Sequence, residues 1–453
     1  MKLFLPPLEI ADDEGFTPEK DIFRRKAIGD GLTNLVTSVD QPLVIALDAQ
    51  WGSGKSTFLK MWAGELRKQE IGVVLFDAFE NDYLEDAFTA IAGQIVSLAK
   101  DKNKAQEGRV QRFAQRAYDA GKIVARSGLK VGIKAATVGA LGAEDFKDIA
   151  KELASEASSL GDKYLGEAIT KQKEQKAIIE EFREALSQLP SLLSPLQTEA
   201  KDAPQKPLVI IIDELDRCRP SFALEILERI KHFFAVPNVH FVLGVHIGQM
   251  ENSVKAAYGT DIDGRMYLQK FISLSVLLVD KKQDDGAYAP MRYAHWLANQ
   301  LEIDAQDGDI YARFIGGIAM ARHLSLRTLE KIFTNVAMTL AFSSPRTLRP
   351  AVIVAGLCVL RVTNPELYVL AKTGDLRWEE MHDKLALNRT LKENESLNLE
   401  YIREVWQYCT DFQMDHAKLQ EMRREFSRYM VSGREGILPH VAGNVMDRFL
   451  PPS

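Results

Sequence analysis

Cysteine is scarce: the chain has three, Cys218, Cys358 and Cys409, far apart and in no CxxC pair. That excludes a disulfide framework and a thiolate zinc site. The eight histidines show no metal-ligand spacing. Long hydrophobic runs are also missing. The longest near the C-terminus, residues 351–360, is about half of what a bilayer requires. The N-terminal apolar stretch is short, broken by Pro6 and Pro7 and followed by acids, so it does not read as a secretory signal, and a reducing, cytoplasmic setting is expected. An excess of positive charge is absent too, with 57 basic against 63 acidic residues and a net charge of −6. A surface built throughout to hold nucleic acid is thereby excluded, while a local basic patch is not.

What remains is ordinary globular composition, 46% hydrophobic and 26% charged over 453 residues, enough for two or three domains. Within it, Leu43 to Leu47 is a continuous apolar run of the kind buried on both faces of a parallel sheet. It leads into Trp51, Gly52, Ser53, Gly54, Lys55, Ser56 and Thr57, after which Phe58 to Arg67 has helical character. Strand, glycine-bearing loop and helix is the context of a phosphate-binding loop, in which small residues let backbone amides converge on phosphate oxygens. Lys55 is then placed to reach the β and γ phosphates, and the Ser56 hydroxyl to ligate Mg²⁺. A second apolar run, Leu208 to Ile212, ends in Asp213 and Glu214. An aspartate after such a strand holds the magnesium shell, and the next acid polarises the attacking water.

With both motifs in view, "WGSGKST" and "IIIDELDRCRPS" resemble the KAP family of P-loop NTPases. Further segments agree: "VVLFDAFEND" (Val73 to Asp82), "ILERIKHFFAVPNVHFVLGVH" (Ile226 to His246), "MYLQKFISLSVLL" (Met266 to Leu278) and "LSLRTLEKIFTN" (Leu324 to Asn335). The likeness runs from about Asp21 to Asn335. Three positions depart from the family pattern. Ala49 stands where the first loop glycine is usual, Glu214 where a second aspartate is common, and His246 where the fourth strand often ends in aspartate.

The resemblance implies ATP with Mg²⁺ as ligands, and a signalling or phage-defence role. It also implies that Arg327 contacts the γ-phosphate from a lid helix. The residues alone leave Arg327 open as a surface arginine paired with Glu330. Lys270 and Arg265 precede the fifth strand, within reach of a nucleotide in this or a neighbouring subunit. Trp51 either covers the loop or packs in the core, the commoner fate of an aromatic.

Five strands are expected, at residues 43–47, 73–76, 208–212, 240–245 and 271–279, separated by helical patterns. The fold class is α/β: a P-loop NTPase parallel sheet flanked by helices, with a helical insertion and a C-terminal helical region. The divisions are 1–100 for the first part of the core, 101–206 for the insertion, 207–285 for the second part, and 286–453 for lid and helical region. Residues 101–135 carry nine basic against three acidic residues, with Lys122, Arg126, Lys130 and Lys134 four apart. Four charges between Lys122 and Gly142 forbid a membrane span there, and a solvated helix or hairpin is expected. The expected activity is ATP hydrolysis coupled to conformational change. Its alternatives are a nucleotide-gated interaction module with little turnover, or a DNA-dependent motor. An unidentified protein partner, a homo-oligomer, and nucleic acid or an anionic membrane surface stand as candidate associations.

Overall fold

A computed structural model describes residues 2–6, 8–83, 86–102, 107–138, 161–193, 206–278, 288–343, 349–388, 398–410, 414–427 and 433–447. Of residues 125–138 and 161–172 it describes the backbone alone. The centre is a five-stranded, wholly parallel sheet of β1 (Val44–Asp48), β2 (Gly72–Asp77), β3 (Leu208–Asp213), β4 (Val239–Val245) and β5 (Leu274–Leu277), in the order β2-β3-β4-β1-β5. The strand that feeds the glycine loop and the strand that ends in acids are thus separated by β4 alone. The fifth strand is shorter than the sequence pattern suggests. Its pairing with β1 begins at Leu274, and residues 268–272 turn back on themselves through Phe271 N–H and Ile272 N–H bonds to the Leu268 carbonyl.

Alternation of side chains along the strands divides the interior into two layers. On one face Ile45, Leu47, Val73, Val209, Ile211 and Val242 meet α1 (Lys26–Ser38) and α2 (Lys55–Lys68), where Phe58 and Trp62 are fully buried. The opposite face, with Ala46, Phe76, Ile210, Ile212, Phe241 and Leu243, is covered by α3 (Ala87–Lys102), α4 (Glu107–Val138) and α5 (Gly161–Ser187), then by α6 (Pro220–Arg229) and α7 (Ile247–Tyr258). Here Phe182 of α5 stacks on Phe113 of α4 (centroids 5.9 Å apart) and meets Phe88 and Phe234 edge-on.

The expectation of a solvated insertion therefore fails for the near part of α4, whose Val110, Phe113, Ala117, Ala120 and Val124 are buried in this layer. Its basic side chains find local partners: Arg116 pairs with Glu181, and Lys122 lies 3.5 Å from Asp119 and over the Tyr118 ring. The side chains of Arg126, Lys130 and Lys134 lie outside the described residues. No helix among the described residues is long and apolar enough to cross a membrane.

Seven longer helices, α8 (Ala289–Gln300), α9 (Ala305–Arg322), α10 (Leu326–Phe342), α11 (Ala351–Thr363), α12 (Pro365–Thr373), α13 (Leu399–Thr410) and α14 (His416–Phe426), share a separate core in which Trp406 and Phe333 are fully buried. The N-terminal strap, which has no assigned role in the sequence reading, links the two cores. Phe16 packs on Phe58 beside the sheet, whereas Leu5, Ile22 and Phe23 pack on the helical core.

Candidate nucleotide-binding site

The loop between β1 and α2 turns through two left-handed glycines, Gly52 (φ 72°) and Gly54 (φ 81°). Gly54 is the N-cap of α2 and offers no side-chain cap, so the first amides of that helix point outward as an anion site. Ala49 is absent from the left-handed residues, so this loop turns later and loses nothing from lacking a glycine there. The Ser53 Oγ is buried without a hydrogen-bond partner, an orphaned polar atom in the loop. From the strap, the Arg25 guanidinium donates to the Ser53 carbonyl at 2.8 Å, and Asp21 caps α1 through the Arg25 and Lys26 amides.

Lys55 is buried. Its Nζ donates to the Ala49 carbonyl at 3.3 Å and lies 3.6 Å from Asp216 Oδ2. Burial lowers its pKa, opposed first by Asp216, then by Asp213 and Asp48. At the end of β3, buried Asp213 accepts the Glu214 amide at 2.9 Å and the Ser56 hydroxyl. Burial raises its pKa and those bonds resist the rise. The structure therefore brings Ser56 and Asp213, the two expected magnesium ligands, together. Two protein oxygens suit Mg²⁺, which retains waters and phosphate oxygens for its other positions. Space for the Asp213 carboxylate comes from Gly244 on the neighbouring β4, which has no side chain to fill it.

Glu214 sits in the left-handed region at φ 57°, and its carboxylate pairs with Arg217 at 2.8 Å. Burial raises its pKa, with Arg217 the main opposing influence. Glu214, Arg217, Lys55, Ser56 and Arg327 all line one cavity of about 470 Å³. Arg327 enters it from the first turn of α10, which docks on the loop through a 2.9 Å bond from the Leu326 amide to the Gly52 carbonyl. Among the described residues Arg327 has no ion pair, because Glu330 accepts from the Tyr293 hydroxyl at 2.5 Å instead. Tyr293 and Trp296, which stack face to face 5.4 Å apart, also line this cavity.

Three placements bear on points that the sequence leaves open or unassigned. Trp51 is 46% exposed rather than packed in the core, and covers the loop by donating its Nε1–H to Asp216 Oδ2 at 2.7 Å. Within this chain Lys270 and Arg265 do not line the cavity, and Lys270 lies over the Tyr267 ring. Asp216, Arg25 and Asp21 went unassigned. For Asp216 the available signal is a further acid three positions after Asp213, between Leu215 and Arg217. For Arg25 and Asp21, nothing local distinguishes them from other strap charges.

A family model described as the KAP family P-loop domain matches residues 25–341. No curated protein matches the chain. Among solved structures, that of the Aeropyrum pernix ORC2 protein in its ADPNP and ADP complexes is similar over 98% of this chain and 96% of that one. Its identity is 12% and its TM-score 0.35, a likeness too loose to bear on function.

Proposed function

The chain belongs to the KAP family of P-loop domains, and on that premise we propose that it binds Mg²⁺-ATP and hydrolyses it. The observation that carries this reading is the meeting of Lys55, Ser56 and Asp213 at the carboxyl ends of β1 and β3, beside a cavity that also receives Glu214 and Arg327. The loop amides and Lys55 hold the phosphates. Gly52, Ser53, Gly54 and Thr57 complete the cradle, and the half-buried Trp296, stacked on Tyr293, offers a planar surface to a base. Ser56 and Asp213 hold Mg²⁺, which neutralises phosphate charge when bound. Glu214 orients the attacking water, and Arg327 faces the charge that develops on the γ-phosphate. Movement of the helical region about the loop then follows nucleotide state, and an unidentified protein partner reads it in a signalling or phage-defence setting.

Replacement of Lys55 by alanine tests binding, and Glu214→Gln tests turnover. The first variant is expected to lose nucleotide binding in calorimetry. The second is expected to bind ATP while its steady-state hydrolysis falls about 10²–10⁴-fold, the usual worth of a positioned base. Normal turnover in Glu214→Gln would remove it as the base. Copurification from native cells with Glu214→Gln then seeks the partner, a second copy of the chain, nucleic acid or an anionic membrane.

A second reading, a nucleotide-gated switch with slow hydrolysis, is favoured by the Glu214–Arg217 pair, which occupies the carboxylate meant for water. A slow basal rate that no partner alters would support the switch, and partner stimulation the motor-like ATPase.

A further inference from the structure

The site holds more acid than the reaction uses. Asp48, Asp213 and Asp216 all bear on Lys55, yet the first two are committed elsewhere. Asp48 Oδ1 accepts the Ile247 amide at the start of α7 (3.0 Å), and Asp213 is engaged with Ser56 and the Glu214 amide. Among the described residues, Asp216 alone also comes within ion-pair distance of the ammonium. Its side chain is 1% exposed, and a single oxygen, Oδ2, serves three groups distant in sequence. It accepts the Trp51 indole N–H at 2.7 Å and the His246 amide at 2.9 Å, and lies 3.6 Å from the Lys55 ammonium. A buried carboxylate needs such partners, and the amide at the N-terminus of α7 adds its dipole.

We infer that Asp216 is a positioning residue: the internal counter-ion of Lys55 in the nucleotide-free site, displaced when phosphate takes the ammonium. This rests on the nucleotide-binding reading above and assigns that site a regulator of retention. A negative charge beside the phosphate lysine opposes a bound polyphosphate, so Asp216 limits how long nucleotide stays. Because the same oxygen anchors Trp51, the exposed indole senses whether Lys55 is paired with Asp216 or with phosphate.

The test uses full-length protein, Mg²⁺-ADP, and the variants Asp216→Asn and Trp51→Phe. Asparagine keeps an oxygen for Trp51 and His246 and removes only the charge facing Lys55. Asp216→Asn is expected to bind ADP ~3–30-fold more tightly, with the change in dissociation rate. In the wild type, ADP should shift a tryptophan emission component that Trp51→Phe lacks. Equal or weaker ADP affinity in a folded Asp216→Asn protein would overturn the inference. So would a wild-type emission unchanged by saturating ADP, which requires no variant to fold. Failure of the wild type to bind any nucleotide would instead sink the nucleotide-binding reading, and this one with it.

Discussion

Replacing Gly244 with alanine is expected to damage the proposed magnesium site while leaving the sheet in place. A Cβ at this position would overlap Asp213 Oδ1 and come 2.7 Å from Leu59 Cδ1. The backbone has little freedom to retreat, because Gly244 pairs with Leu47 of β1 and the residue before it, Leu243, pairs with β3. The carboxylate must therefore yield, and with it the 2.9 Å bond to the Glu214 amide that supports the left-handed turn there. Overpacking of this kind costs about 1–3 kcal/mol of stability. Losing a hydrogen bond to a charged group is worth about 1.5–3 kcal/mol, and 1.4 kcal/mol is already tenfold in affinity. We therefore expect Mg²⁺-dependent nucleotide affinity to fall about tenfold or more, with a cooperative urea transition retained. Gly93→Ala is the control, since a Cβ there meets nothing within 4 Å. Magnesium dependence in Gly244→Ala equal to that of the control would refute the placement of Asp213 against β4.

Phe182→Ala should destabilise the whole protein by about 3–5 kcal/mol in denaturant unfolding, because the ring is fully buried among Phe88, Phe113 and Phe234. A loss under 1 kcal/mol would mean that α5 is an appended arm. His240 is fully buried in β4, where the backbone of Val36 and Val39 beside its ring only partly offsets the burial. Burial lowers its pKa, so the unfolded chain takes up the proton first. Its contribution is thus intact above about pH 6.5 and is lost as the pH falls from there towards the folded value. His240→Gln should flatten that part of the stability–pH curve, measured by thermal melts between pH 5 and 8, and an unchanged slope would contradict this.

How far the sequence spoke depended on whether a signal was local. Continuous apolar runs placed β1, β3 and β4 within a residue or so, since strands buried on both faces need apolar residues throughout. Lys55, Ser56 and Asp213 were legible for a similar reason: each stands at a fixed distance from the end of such a run. Strand order was not legible, because the register of β2 with β3 pairs Val73 with Val209 across the whole insertion. Charge spacing in α4 misled, since the helix turns Val110, Phe113 and Ala117 to the core from between its cations. Asp216 has no legible role in the sequence, because its partners Trp51, Lys55 and His246 meet it only in the fold.

The bond from the Leu326 amide to the Gly52 carbonyl has a mechanical consequence. It fixes one end of α10 to the phosphate loop, while that helix runs 17 residues, about 25 Å, to an exposed Phe342. With its fulcrum at the loop, α10 is a lever: a tilt of about 10° carries the far end through about 4 Å at that length. On the reading proposed above, a tilt of the loop on phosphate release would thereby be amplified into a movement of side-chain size at the exposed Phe342.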